Sequence, residues 1–331
     1  MTGRVRMAGR GMVALLMVWA LAQPARANDS AAALDAGGLV LIGDPHVELA
    51  SEDLRIGIDR IAVDYVFRNR SDAPRTLRVA FPLPDIDGAA LAGSALSLPF
   101  EDRANFVGFT VTVDGAAVAP ELEERAYLGA REVSDLLRRH KLPLNPLRRA
   151  DLEAALKRLA AADLKALEGA GLLSEPSADA MAQWRSTAKF HWEQTFPPGR
   201  ELRVSHAYAP VKGNHLLSAK EAGARDYRAR YCLDDGGVAG IRRLAAAREG
   251  GLTRAAEVPY IVTTAKNWAG RIGRFTLTVD KGRPDALVSF CRTGVRKTGP
   301  TTFVWEARDY LPDSDLRVLI VSNDDAFLGI R

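Results

Sequence analysis

The chain has 331 residues, with 45 basic against 41 acidic side chains and a formal net charge of +4. Four of the arginines and no acidic residue fall within residues 1–27, so the rest of the chain carries 41 of each sign. A balanced chain has no long-range field with which to recruit nucleic acid or an anionic lipid surface.

Arg4, Arg6 and Arg10 precede an apolar run from Gly11 to Ala22, and Ala25-Arg26-Ala27 follows with small residues flanking one position. This reads as a secretory signal peptide cleaved near Ala27. The run is about half the ~20 residues that a retained membrane anchor needs. The expected location is therefore periplasmic or secreted, with no integral membrane span after cleavage. What remains, about 300 residues, exceeds a usual single domain and predicts two lobes, or one lobe with an insertion.

From Leu39 to Ile42 the chain is apolar, and Val47 with Leu49, then Leu54, Ile56 and Ile58, add two short alternating pieces. Ile61, Val63, Tyr65 and Phe67 alternate with Ala62, Asp64, Val66 and Arg68, and the pattern resumes at Leu77, Val79 and Phe81. Period two on both sides of the turn formers Asn69 to Pro74 predicts the arms of one hairpin. Pro82 and Pro84 end the second arm because each lacks an amide donor. Phe109, Val111 and Val113 run into Asp114-Gly115, a tight-turn signal, with Val118 beyond it. Such closely spaced strands are the pattern of a β-sandwich.

At Glu121 the period changes: Leu122, Ala126, Val133 and Leu137 recur at helical spacing. Leu142-Pro143-Leu144-Asn145-Pro146 breaks that helix, with Asn145 placed to cap the next and Pro146 in its first turn. Leu152, Leu156 and Leu159 mark another apolar face, and Gly169 and Gly171 stand where a C-terminal cap belongs. Residues 121–182 are thus expected as a helical insertion. Strands return at Phe190–Phe196 and Leu202–Tyr208. Beyond Asn214 further strands are expected at 227–232, 260–264, 275–279, 287–291, 302–305 and 316–321, with a short helix at 242–249. The whole is predicted to be mainly β, as β-sandwich lobes with an inserted α-helical segment. Residues 28–120 with 183–215 form the first lobe, and residues 216–331 form a C-terminal β-rich lobe.

Cys232 and Cys291, both in strand-like segments, are the two cysteines of the chain. In an oxidising compartment an even pair reads as a disulfide. Neither has the helix N-terminus or Cys-x-x-Cys setting that activates a thiol. No Gly-x-Ser-x-Gly, His-Glu-x-x-His, phosphate loop or dinucleotide signature is present, and no cofactor is expected.

The five histidines have no ligand spacing. One alternative is a secreted metal-dependent hydrolase using His191, His206 and a nearby carboxylate, and strand register decides it. A four-residue loop would set His191 opposite His206, within reach of Glu193. A five-residue loop sets Phe196 opposite Leu202, Trp192 opposite His206 and Phe190 opposite Tyr208. The second gathers the large apolar groups on one face and is preferred, which sends the histidines to opposite sides.

Paired aspartates recur at 85 and 87, 234 and 235, 313 and 315, and 324 and 325. Asp85-x-Asp87-Gly88 resembles half of a calcium loop, although Asp also turns loops by bonding its own backbone. Trp184, Trp192, Trp268 and Trp305 could pack a core or line a groove. Trp268, in Lys266-Asn267-Trp268-Ala269-Gly270, is expected to be exposed. The functional expectation is a non-catalytic binding or envelope-associated module that meets an envelope protein or glycan through Trp268 or the Asp85 and Asp87 corner.

Asn28-Asp29-Ser30 with Gly37-Gly38-Leu39, Ser51-Glu52-Asp53-Leu54, Ala80-Phe81-Pro82-Leu83-Pro84-Asp85, the Leu142–Pro146 stretch and Trp192 through Pro197 together resemble an uncharacterised bacterial exported family, domain of unknown function 4424. The resemblance covers the chain past the leader and implies export without assigning catalytic residues. Residues 60–127 are also similar, more loosely, to the vault/inter-alpha-trypsin β-sandwich. That would imply protein interaction, but the Asp-x-Ser-x-Ser motif of its usual companion, a von Willebrand A domain, is missing from this sequence.

Overall fold

The computed structural model describes residues 40–41, 44–91, 96–100 and 103–330, and residues 1–27, expected from the sequence to be a signal peptide, lie outside the described residues. The protein is mainly β, and its described residues form three sheets. The largest runs, in spatial order, β17 (Arg296–Lys297), β18 (Thr302–Tyr310), β15 (Ile272–Asp280), β2 (Val47–Gly57), β3 (Ile61–Asn69), β12 (Glu201–Tyr208), β7 (Thr110–Val113) and β8 (Ala116–Val118). A second runs β1 (Val40–Leu41), β4 (Arg75–Pro82), β11 (Arg185–Phe196), β9 (Glu121–Leu128) and β10 (Arg131–Glu132), with β5 (Ile86–Asp87) also on β11. The third runs β16 (Leu287–Ser289), β19 (Leu316–Ser322), β14 (Leu252–Tyr260), β13 (Lys212–Ser218) and β6 (Leu96–Ser97).

The alternation at 61–67 and 77–81 does bury one face of each strand, but the two strands are not a hairpin. β3 pairs with β2 and β12, whereas β4 pairs with β1 and β11 in the other sheet. The expected pairing of Phe190–Phe196 with Leu202–Tyr208 fails in the same way, because β11 and β12 also lie in different sheets. Both connections are arches between layers, and their inward faces meet across the sandwich: Phe67 lies 5.6 Å from Phe196, and Phe81 lies 5.1 Å from Tyr208, between ring centroids. Alternation reports a buried face and is silent on whether the partner lies beside or opposite it.

One buried side chain secures both arches. Asn69 Nδ2 donates to the carbonyls of Ala73 (2.8 Å) and Phe196 (2.9 Å), its Oδ1 accepts from Ser71 N (2.9 Å), and its own carbonyl accepts from Gly199 N (3.2 Å).

Residues 47–57, expected as two pieces, form one strand. Buried Val47 and Leu49 are odd-numbered while Leu54 and Ile56 are even, and a β-bulge between Leu49 and Ser51 accounts for the change of parity. Asp114 (φ 47°) and Gly115 (φ 83°) make the expected two-residue hairpin between β7 and β8.

The expected helix from Glu121 begins instead as β9, paired with β11. Leu122 and Ala126 are four apart, a spacing that keeps residues on one side of a strand as well as of a helix. Helices follow at α2 (Ser134–Arg139), α3 (Arg149–Leu156) and α4 (Ala161–Gly169). They enclose a separate small core of Leu137, Leu152, Leu156 and Leu167 around Trp184. Gly171 (φ 75°) ends α4 as expected, with Leu172 N donating to Leu167 O at 2.9 Å. Asn145 turns the chain by accepting from Leu147 N (3.0 Å) rather than capping α3.

In the C-terminal part, 227–232 is not a strand. It belongs to α6 (Arg225–Tyr231), which with α5 (Ala219–Gly223) and α7 (Asp235–Ala246) covers one face of the third sheet. Tyr227 and Tyr231, read as alternating, are equally neighbours on one helix face, with rings 4.8 Å apart. Cys232, in left-handed conformation (φ 53°), ends α6 and is disulfide-bonded to Cys291, so neither cysteine lies in a strand. β15 joins the largest sheet beside β2, parallel to it, so the lobes expected on either side of residue 215 share this sheet and one apolar core.

Candidate functional site

Trp268, expected at the surface, is 5% exposed, with its ring 4.3 Å from Phe67 and 6.1 Å from Phe196. The polar neighbours in sequence do not decide its fate, because residues far away in the chain, Phe67 and Phe196, close over it. Trp184 and Trp192 are also buried.

Each paired aspartate already serves the local backbone, an arginine or, at Asp313, the Ser314 hydroxyl, which donates to its Oδ1 at 2.9 Å. Asp85 is ion-paired to Arg185, and Asp87 Oδ1 accepts from Ala89 N (3.0 Å) at the start of the short helix α1 (Gly88–Leu91). Asp234 and Asp324 cap α7 and α8 (Asp325–Leu328), accepting from Gly237 N (2.7 Å) and Phe327 N (2.9 Å). Asp235 pairs with Arg228 and Asp325 with Arg248, while Asp315 accepts from Thr263 N (3.0 Å). Among the described residues no group of three or more His, Cys, Asp or Glu side chains is arranged to hold a metal ion.

The convergence that a hydrolase at His191 and His206 requires is not formed. His206 lies inside the sandwich, its ring 5.1–5.5 Å from those of Phe81, Tyr65 and Phe109, and burial drives its pKa down to about 3. His191 is in the other sheet, with Nε2 3.8 Å from Glu121. The histidines diverge as expected, but through sheet membership rather than hairpin register.

The corner that follows Phe81-Pro82-Leu83-Pro84 does border a concavity. A cleft of about 330 Å³ opens where α1 meets the inserted helices, lined by Gly88, Leu91, Pro146, Leu152 and Met181. Arg149, Glu153 and Asp179 supply charge on its wall, with Glu153 paired to Lys157. Gly88 is fixed by close packing: an added Cβ would stand 2.6 Å from Ala182 O, while Gly88 N donates to Trp184 O at 3.0 Å. The backbone of the corner is thereby seated against the segment leading into β11, which sets the cleft's shape. A shallower depression lies on the outer face of the largest sheet, where Arg68, Arg70, Arg203 and Arg274 surround Glu48 and Glu201.

Glu52 and Glu257 are two of the buried carboxyl groups not singled out from the sequence. Glu52 points into the core, and burial raises its pKa to about 8 while the Tyr260 hydroxyl works weakly the other way. Glu257 lies under α6, met by Arg230, Arg317 and Tyr231. A signal for Glu52 existed: it shares the even parity of Leu54 and Ile56 and so belongs to the buried stripe. Nothing local marks Glu257, whose partners come from a helix and from a strand 60 residues on.

These features define a three-sheet β protein with a helical insertion and a cleft at their junction. The family model described as "Domain of unknown function (DUF4424)" matches residues 27–319, and the chain belongs to this family. No curated protein matches it. Among solved structures, a "putative nutrient binding protein" from Legionella pneumophila superposes with a TM-score of 0.48 at 15% identity, over 86% of this chain and 70% of that one. An M1 zinc metallopeptidase from Deinococcus radiodurans gives 0.25 at 10% identity, over 84% of this chain and 43% of that one. The chain thus spans less than half the length of that peptidase.

Proposed function

We propose that the protein is an exported, non-catalytic binding module of the cell envelope that takes an envelope protein or glycan in the cleft beside Gly88. The observation that carries this reading is the cleft itself. It is concave, it combines apolar walls with Arg149 and Asp179, and its rim is held by close backbone packing, the usual make-up of a preformed binding site. Export is supported by the basic and apolar leader ending near Ala27 and by the disulfide, a bond typical of oxidising compartments. Asp85 and Asp87 hold the corner that contains Gly88, and so shape the site.

The test is affinity purification of the tagged protein from its own periplasm, in parallel with an Arg149→Glu, Met181→Trp double variant that reverses a charge and fills the cleft. The recovered chain is expected to begin at Asn28. A partner should co-elute with the native protein and be lost from the variant. Identical co-eluting material from both would remove the cleft from consideration, and stoichiometric zinc in the purified protein would overturn the non-catalytic reading.

A further inference from the structure

The cleft beside Gly88 is unusual in what its walls lack. Leu91, Pro146, Leu152 and Met181 line it, with alanines between them, and no side-chain hydroxyl, amide or imidazole and no aromatic ring stands among the lining residues. Pro146 and Leu152 are buried, and Leu91 and Met181 are half-buried. The polar side chains of the lining are all charged: Arg149, Glu153 and Asp179.

Those three charges are not equally available. Glu153 lies one helical turn from Arg149 and one from Lys157 on α3, close enough to pair with either, and it is taken by Lys157. Asp151, the other acidic neighbour of Arg149 on that helix, is taken by Arg148. Asp179 carries no ion pair but lies in the field of Lys157. Among the described residues no carboxylate is ion-paired with Arg149, so its exposed guanidinium is the charge at this wall without a counterpart.

This make-up discriminates between the two kinds of occupant. A sugar carries hydroxyls around its ring, and each one buried against aliphatic walls gives up water without gaining a partner. An aliphatic side chain loses nothing on entering, and the flexible thioether of Met181 can adapt to its shape. The guanidinium at the rim presents a fork of donors that matches a carboxylate. Because Gly88 packs against Ala182 O too closely to admit a Cβ, the cleft is held ready and little ordering is needed on binding. With the cleft taken as the binding site, on which this rests, we propose that its occupant is a polypeptide segment that buries one aliphatic side chain against Leu91, Leu152 and Met181 and sets a neighbouring Asp or Glu on Arg149.

Selection from a library of random displayed peptides tests this, with the whole exported chain as bait beside its Arg149→Glu and Met181→Trp variants, and with an array of bacterial surface oligosaccharides probed in parallel. The native chain is expected to enrich peptides in which an acidic residue adjoins Leu, Ile, Val or Met. Arg149→Glu should enrich Lys or Arg beside the same aliphatic residue, and Met181→Trp should enrich neither. In the best peptide, exchanging the acidic residue for Lys should weaken binding to the native chain about tenfold, read by fluorescence anisotropy, and restore binding to Arg149→Glu. No enrichment, or one whose charge preference Arg149→Glu leaves unaltered, overturns the proposal. Oligosaccharide binding that Met181→Trp abolishes, with no peptide enriched, overturns the polypeptide and leaves the cleft standing as the site. Peptides enriched alike by the native chain and Met181→Trp remove the cleft as well. If Met181→Trp does not fold, Arg149→Glu decides alone, since that side chain is exposed on α3.

Discussion

Glu52 and Glu257 are buried to the same degree, each 3% exposed, on central strands of different sheets, yet their surroundings are opposite. Glu257 accepts from Arg317 Nη1 at 2.5 Å, from Arg230 Nη2 at 3.0 and 3.3 Å and from the Tyr231 hydroxyl. Glu52 meets a phenol and an apolar wall. One carboxyl is a charge locked among charges; the other keeps its proton because nothing pays for losing it. Equal burial therefore says little about how a carboxyl behaves. The partners that the fold delivers decide it.

The largest expected effect comes from removing the compensated carboxyl. Glu257→Leu leaves two guanidiniums facing each other beneath α6 and should cost about 3–5 kcal/mol, read as a fall in the urea midpoint. Glu52→Gln at pH 6 should change stability by less than about 1 kcal/mol, since one neutral hydrogen-bonding group replaces another. Equal losses would erase the contrast between the two sites.

The Cys232–Cys291 bond should come next, because it ties the end of α6 above Glu257. Cys291 Sγ lies 3.7 Å from Arg230 O, and Ser289 Oγ donates to Tyr231 O at 2.8 Å. Replacing both cysteines by serine should cost about 2–4 kcal/mol. Added to Glu257→Leu it should cost less than the sum, since both changes loosen the same helix. Full additivity would show that the disulfide does not position the arginine and tyrosine over Glu257.

The gentlest effect is in the pH dependence, where Glu52 is set against His206. The folded chain keeps the Glu52 proton that the unfolded chain releases from about 4.5 upward, so stability falls as pH rises from there to about 8. His206 is held neutral while the unfolded chain takes up a proton below 6.5, so its contribution is lost as pH falls from 6.5 toward about 3. Between 4.5 and 6.5 the two slopes cancel, and denaturant midpoints should be flat there, declining on both sides by up to about 1.4 kcal/mol per pH unit. Glu52→Gln should flatten the alkaline side and His206→Leu the acid side. A profile that neither variant alters would place the titrating groups elsewhere.

Much of the local structure was legible because it follows from spacing along the chain. Alternating apolar residues gave the strands at 61–67, 77–81, 275–279 and 316–321, Asp114-Gly115 gave a hairpin, and two cysteines gave a bond. Pro82 and Pro84 were legible as the end of a strand, and the Asp85 to Gly88 corner that follows them borders the cleft. The lining of that cleft was not legible, since Arg149, Asp179 and Met181 come from segments that only the packing of the insertion brings to Gly88.

The sequence by itself determined which side chains turn inward, that the protein is mainly β with helices inserted, and that its two thiols would pair. Only the tertiary structure decided that β3 and β4 belong to different sheets, that β15 slots in beside β2, that Trp268 is interior, and that Glu52 lacks the cations granted to Glu257. The reason lies in range. Periodicity is written over neighbouring residues, whereas a strand's partner, a tryptophan's cover and a carboxyl's counter-charge are supplied by residues that share no stretch of chain with it.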